Sequence, residues 1–220
     1  MCNFYSIFAP DMDENRYDRE DLRKAVEVLR GGGIIVYPTD TVWGIGCDAT
    51  NEAAVAKIYA IKQREDSKSM LVLLDSAAKL DYYVDVPEAA EMLLGVQNTD
   101  RCTDRIQTEL QNGNTKPLTI IYPNARHLAS NLVAEDGSIG IRITGEAFSK
   151  ALCAQLKHPI VSTSANISGH PTAHFFHEIE QAILDGADYV CLFRREDETP
   201  HEPSSIIKVN ADGTFVIIRQ

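Results

Sequence analysis

Three short segments carry the residue types that could do chemistry: Tyr37-Pro38-Thr39-Asp40-Thr41-Val42-Trp43-Gly44, Lys62-Gln63-Arg64 and Ser162-Thr163-Ser164-Ala165-Asn166-Ile167-Ser168-Gly169. Each stands where an apolar run gives way to polar residues, the place where a strand or helix passes into a loop. Together they offer hydroxyls, amide groups and two fixed cations. That set suits a small anionic ligand such as a nucleotide, because cations neutralise phosphate while hydroxyls and amides orient it. Read singly, each segment has a local explanation. The Pro-Thr-Asp-Thr stretch could be a strand-ending turn whose hydroxyls and Asp40 satisfy nearby backbone. Lys62 and Arg64 could complement a helix C-terminus, Ser164-Ala165-Asn166 could cap a helix, and Arg142 could pair with a carboxylate. Their joint occurrence at strand ends favours a ligand site, since ligands of open α/β sheets gather at such edges.

The elements that must position these residues follow from apolar spacing. Leu22, Ala25, Val26 and Leu29 have helical period, and Gly31-Gly32-Gly33 ends that helix. Ile34 to Tyr37 is a short buried strand stopped by Pro38. A second helix starts at Asn51, a good N-cap, with Val55, Ile58 and Tyr59 on its inner face; it delivers Lys62 and Arg64 at its end. Further strands are expected at Met70–Leu74, Leu118–Tyr122, Ile139–Ile143, Ile160–Ser162, Tyr189–Phe193, Ser205–Val209 and Thr214–Ile218. Helices are expected around 87–95, 146–156 and 174–185. Helices interleaved with short buried strands predict an α/β fold on a twisted sheet. Residues 11–21 read as a polar lead-in to the first helix, and 96–116 as a polar stretch of undefined structure.

Composition narrows the function. The chain has 32 Asp and Glu against 21 Lys and Arg, a net charge of −11. Non-specific nucleic-acid binding needs many Lys and Arg on phosphates, so this balance argues against a general RNA or DNA coat protein. The five cysteines are dispersed, without a C-x-x-C pair, and read as reduced thiols. No signal peptide and no bilayer-length apolar run is found, which places the expected compartment in the cytoplasm, with no membrane partner. The G-x-x-x-x-G-K-[ST], G-x-G-x-x-G and G-x-S-x-G motifs are absent, so neither a phosphate loop nor an acyl-transfer serine is indicated. His170, His174 and His177 have helical spacing, but only Glu178 adjoins them as a further ligand, and no metal site is assigned.

The long block Tyr37–Ala49, the run Pro159–Gly169, the pair Lys62-x-Arg64 and the pair Ser164-x-Asn166 resemble the YrdC family, the threonylcarbamoyl-AMP synthases. The resembling segments, Gly32–Leu74, Ile139–Thr172 and Pro203–Arg219, exceed half the chain. The resemblance implies one YrdC-like domain over residues 1–220: an α/β fold whose twisted mixed sheet, with flanking helices, surrounds a large concave ligand cleft. It implies the short form, without an extra C-terminal domain. It implies a nucleotidyltransferase that joins L-threonine, bicarbonate or CO2, and ATP into threonylcarbamoyl-AMP and pyrophosphate, the first step of threonylcarbamoyl-adenosine formation in tRNA. A YciO-like paralogue, binding a nucleotide or RNA without synthase activity, is the alternative; YciO-like chains lack both pairs, whereas this chain carries them.

By the same resemblance Lys62 and Arg64 are catalytic and bind ATP phosphates with Ser164, Asn166 and Arg219. Thr39, Arg142, Ser162 and Ser204 hold threonine. Mg²⁺ accompanies ATP on its phosphates rather than in a protein cage. The downstream partner is a threonylcarbamoyl transferase enzyme, and direct tRNA docking is disfavoured by the acidic charge. The chain departs from the family at Glu65 and Lys68-Ser69-Met70, at Asn114-Thr115-Lys116-Pro117, and at Arg142-Ile143-Thr144, where the family has Arg-Ile-Pro. These changes bear on loop geometry and threonine specificity more than on fold.

Overall fold

The computed structural model describes residues 17–64, 70–98 and 116–220; the lead-in before Tyr17, the altered loop at 65–69 and residues 99–115 lie outside the described residues. Helix α1 (Arg19–Arg30) starts where Asp18 accepts the Glu20 amide at 2.8 Å and ends at Gly31, with Gly32 at φ +75°. Its expected inner residues Leu22, Ala25, Val26 and Leu29 are all buried. Helix α2 (Glu52–Lys62) is capped by the Asn51 side chain, which accepts from Ala54 N at 3.0 Å. Helices α3 (Leu80–Tyr83), α4 (Glu88–Asn98), α5 (Ala147–Leu156) and α6 (Gln181–Gly186) complete the described α-helices.

The strands are β1 (Ile35–Tyr37), β2 (Gly44–Gly46), β3 (Leu71–Leu74), β4 (Leu118–Tyr122), β5 (Ile139–Ile143), β6 (Ile160–Ser164), β7 (Tyr189–Val190), β8 (Ser205–Val209) and β9 (Phe215–Arg219). They form one mixed sheet in the order β7-β1-β2-β6-β3-β5-β4-β8-β9. Pairs β1–β7, β3–β5 and β4–β8 are parallel and the others antiparallel. This is the single-sheet α/β architecture expected from the sequence.

Three expectations change. Strand β2 escapes apolar-run reading because it is Gly-Ile-Gly; its glycines are required by close packing, for a Cβ on Gly46 would stand 2.1 Å from the Val161 carbonyl oxygen. The strand expected over Tyr189–Phe193 stops at Val190, because the Leu192 and Phe193 amides turn aside to the Asp21 carboxylate at 2.9–3.0 Å. The helix expected at 174–185 is instead a 3₁₀ turn, Phe176–Glu178, followed by the shorter α6.

The two sheet faces are covered unequally, and this makes the cleft. Alternate strand residues share a face. Val72, Leu74, Ile120, Tyr122, Ile139, Ile141 and Val161 face the larger core beneath α2, α3 and α4. On the opposite face α1 and α5 cover only part of the sheet, packing Leu29, Phe148, Leu152 and Leu156 against Ile35, Tyr37, Leu73 and Ile160. Among the described residues the remainder of that face, on β4, β5, β6 and β8, is left open and forms the cavity floor.

Candidate functional site

The open half of the sheet floors a cavity of about 930 Å³, within the range of small-molecule sites. Strand register sets its floor. Arg142 on β5 is opposite Thr119 on β4, Thr119 is opposite Ile206 on β8, and Ile206 is opposite Arg219 on β9. One cross-strand row therefore carries a guanidinium at each end. A parallel row runs Gly140, Ile121, Lys208. Gly44, Ser162 and Ser164 continue the floor across β2 and β6, and Thr39, Thr41 and Arg64 stand on the rim.

Arg142 is 3% exposed. Its Nη2 lies 2.9 Å from Asp40 Oδ1 and 3.4 Å from Thr41 Oγ1. Asp40 Oδ1 nonetheless has no directed hydrogen bond, and Arg142 Nε is buried without an acceptor among the described residues. The charges touch, but the guanidinium retains a donor for a ligand. The Thr39–Thr41 turn is held internally: Thr39 Oγ1 donates to Val42 O at 2.7 Å and accepts the Thr41 amide at 3.1 Å. Arg219 donates from Nε to Ser204 O at 2.9 Å and from Nη2 to Ser204 Oγ at 3.2 Å, and Ser204 Oγ shares a 2.9 Å hydrogen bond with Thr119. Burial, reinforced by the nearby Arg142 charge, lowers the Arg219 pKa; burial likewise lowers that of Arg64. On the wall beyond Lys208, Asp136 is tied at 2.5 Å to Lys208 Nζ, which with Ser138 holds its pKa down to about 2.

Of the residues singled out in the sequence, Thr39, Arg64, Arg142, Ser162, Ser164, Ser204 and Arg219 meet at this cavity. Lys62 and Asn166 stand behind its wall. Lys62 extends the inner stripe Val55, Ile58, Tyr59 by one more turn, so helical spacing carries it inward. It is 1% exposed, and Nζ donates to Ser164 O and Asn166 O, both at 2.5 Å. Burial, with a smaller contribution from Arg64, pushes its pKa down to about 8. Gln63 then takes a left-handed conformation, φ +49°, ending α2 and redirecting Arg64 to the cavity. The Asn166 amide nitrogen donates to Ile167 O and His170 O, each at 2.9 Å. Lys62 and Asn166 thus brace the Ser162–Ser168 loop from beneath.

Sequence reading did not single out the Asp40–Arg142 contact, although Asp40 stood in a quoted segment. It also missed Arg194, whose Nη1 donates to Thr39 O at 3.1 Å from a distant turn; no local signal marks it. His170 pairs with Glu180 at 3.0 Å and His177 stacks on Phe175, whereas His174 stands on the cavity rim. Thr144 stands where the family has proline, and donates its amide to Leu74 O at 2.9 Å, a hydrogen bond proline cannot make.

Comparison with known proteins bears on the family and the fold. The Sua5–YciO–YrdC family model, described as "Telomere recombination", matches residues 27–220. A protein of Stutzerimonas stutzeri (strain A1501) named threonylcarbamoyl-AMP synthase is 33% identical over 170 residues, 77% of this chain and 83% of that protein. One of Pseudoalteromonas atlantica (strain T6c) with the same name is 35% identical over 164 residues, covering 71% and 80%. Among solved structures, E. coli YciO superposes with a TM-score of 0.75 at 24% identity, over 94% of this chain and 91% of that one. P. abyssi Sua5 gives 0.73 at 22% identity, over 94% and 58%. The last two establish likeness of fold, and the family match with the sequence relatives settles membership: this chain belongs to the Sua5–YciO–YrdC family.

Proposed function

We propose that this protein is an L-threonylcarbamoyladenylate synthase. The observation that carries the reading is the row Arg142–Thr119–Ile206–Arg219, with Arg64 on the rim of the same cavity: three guanidiniums around one open volume. Such a site favours a ligand with several anionic groups, and a nucleoside triphosphate beside an amino-acid carboxylate supplies them. The curated relatives named as synthases support the same assignment over the YciO-like alternative.

In the reaction the neutral threonine amine attacks the carbon of CO2 and loses a proton, forming a carbamate. A carbamate oxygen then attacks the α-phosphorus of ATP. The bond from that phosphorus to the bridging oxygen breaks, and pyrophosphate leaves. Little covalent chemistry falls to the protein, so positioning and charge stabilisation carry the catalysis. Arg142, with Thr39, Ser162 and Ser204, is assigned to the threonine carboxylate and hydroxyl. Arg64, Arg219 and Ser164 are assigned to the phosphates. Lys62 and Asn166 act as positioning residues, keeping the Ser162–Ser168 loop in place. No cluster of three or more metal-binding side chains stands among the described residues; of the carboxylate residues lining the cavity, Glu135 and Asp136, Asp136 is engaged by Lys208 and Ser138. Mg²⁺ is assigned as the companion of ATP, held by its phosphates. The adenylate, a mixed anhydride prone to hydrolysis, requires a transferase acting next, which agrees with a threonylcarbamoyl transferase as partner in the cytoplasm. No described helix is long and apolar enough to cross a membrane.

The test is pyrophosphate release from ATP with bicarbonate, with and without L-threonine, alongside Arg142→Ala. Threonine-dependent release with formation of the adenylate, lost in the variant, supports the synthase. ATP binding without turnover at any threonine concentration refutes it.

A further inference from the structure

The chain from β7 to β8 runs from one end of the sheet order to the strand next to the other end and passes the cavity mouth on the way, where Pro203 and Ser204 join the lining. It is pinned at its start: the Cys191 amide donates to Val36 O at 2.9 Å, and the Leu192 and Phe193 amides to the Asp21 carboxylate. Arg194 follows at φ +61°, a left-handed conformation that few side-chain-bearing residues adopt and that persists only where contacts enforce it. Here the guanidinium provides them. Nε donates to Asp197 Oδ2 at 2.7 Å, Nη1 to Thr39 O at 3.1 Å, and Nη2 to His201 Nε2. A planar fork with donors on several edges can serve three segments at once, which an ammonium on a flexible stem cannot.

The three segments are the turn at 194–197, the return strap entering Pro203–Ser204, and the Thr39–Asp40–Thr41 turn. The last carries Thr39 and Thr41 on the cavity rim and sets Asp40 against Arg142. Arg194 thus reaches the site from outside, through the Thr39 carbonyl and without touching the cavity. We propose that Arg194 is a positioning residue of the synthase site, clamping the Thr39–Asp40–Thr41 turn to the strap, with neutral His201 closing the clamp. Its kinetic consequences rest on the synthase reading; its structural ones do not.

The role of His201 follows from donor and acceptor chemistry. An arginine N–H can only donate, so Nε2 must offer a lone pair and the imidazole must be neutral. Protonation would remove the acceptor and set two cations in contact. The groups facing His201 are Arg194 and Asp197 from the preceding turn and Asp40 from the β1–β2 connection, and His174 lines the same small recess. Burial and Arg194 lower its pKa, while Asp197 and Asp40 oppose them. The net direction is down, so the clamp is closed at neutral pH and opens as pH falls below the ordinary histidine range.

Hydrogen–deuterium exchange, corrected for intrinsic rates, reads the clamp directly in the ligand-free protein. Arg194→Gln is expected to lower protection of the 39–46 peptide about tenfold or more while α5 keeps wild-type protection. In wild type that protection falls on acidification. In His201→Gln, whose amide oxygen accepts the same N–H but does not titrate, the acid-side loss disappears, whereas His201→Phe is deprotected at every pH. With synthase turnover in hand, Arg194→Gln lowers kcat/KM for L-threonine about 10- to 100-fold, and the acid limb of wild type is missing from His201→Gln. Unchanged 39–46 protection in Arg194→Gln, or an acid-side loss that survives in His201→Gln, overturns the clamp. A wild-type protein that shows the exchange pattern but no threonine-dependent pyrophosphate release upholds the clamp and sinks the synthase reading.

Discussion

Lys62 offers a test in which stability and activity must move in opposite directions. Its ammonium is 1% exposed and donates to two loop carbonyls at 2.5 Å. Burial first, and Arg64 second, bring its pKa down from 10.5 to about 8, against an opposing pull from Glu180. At about 1.4 kcal/mol per pKa unit, keeping the group charged at neutral pH costs the native state on the order of 3 kcal/mol. Between the native pKa near 8 and the unfolded one near 10.5 the unfolded chain holds more protons, so the lysine's contribution to stability rises with pH across that window. Below about 8 the penalty is fully present. Lys62→Met keeps much of the stem volume and removes the charge. The wild-type unfolding free energy, measured against Lys62→Met in urea, should therefore improve by about 2–3 kcal/mol from about pH 7 to about pH 10. At neutral pH the variant strips the Asn166 carbonyl of its lysine partner, a loss of about 1–3 kcal/mol, while Ser164 O keeps the Asn166 amide at 2.9 Å; the relieved desolvation offsets that loss, so the destabilisation stays within about 3 kcal/mol. Wild-type pyrophosphate release should meanwhile decline above about pH 8, as the loop loses the cation that binds its carbonyls, and Lys62→Met should be slow throughout. A stability difference that is flat with pH would refute the buried, desolvated ammonium on which the reasoning depends.

Three further outcomes are expected. Arg142→Ala leaves Asp40, a partly buried carboxylate, without its cation and should cost up to about 3–5 kcal/mol in unfolding free energy; Asp40→Asn in the same background should recover part of that loss by thermal melting. Gly46→Ala forces a Cβ to within 2.1 Å of the Val161 carbonyl unless the strands part, so a penalty of about 1–3 kcal/mol or more is expected in chemical denaturation, with the β2–β6 amides exchanging faster. Arg219→Ala takes the guanidinium from Ser204, whose hydroxyl keeps its Thr119 hydrogen bond, and removes one cation from the cavity row; ATP affinity by calorimetry should fall about tenfold or more while L-threonine affinity changes less, a loss matching one charge-assisted hydrogen bond.

Local pattern determined much of this protein. Apolar period marked α1, α2 and α5, with end signals at the first two, and β4, β5 and β8 lie where apolar runs placed them, because those signals are properties of neighbouring residues. The chemistry was also local in part: hydroxyls at Thr39 and Ser162, cations at Lys62, Arg64, Arg142 and Arg219. Even the inward placement of Lys62 was written in its spacing from Val55, Ile58 and Tyr59, although its chemical type drew attention toward the ligand instead. Tertiary structure alone decided which of these groups share a surface. Strand register aligned Arg142, Thr119, Ile206 and Arg219 into one row, and register depends on pairings between distant segments that no local pattern encodes. The left-handed Gln63 separated Lys62 from Arg64, sending one beneath the loop and the other to the rim. Long-range contacts likewise ended β7 at Asp21 and brought Arg194 to the Thr39 carbonyl. Among the described residues the cavity stands where α1 and α5 leave part of one sheet face uncovered, a property of how the layers pack.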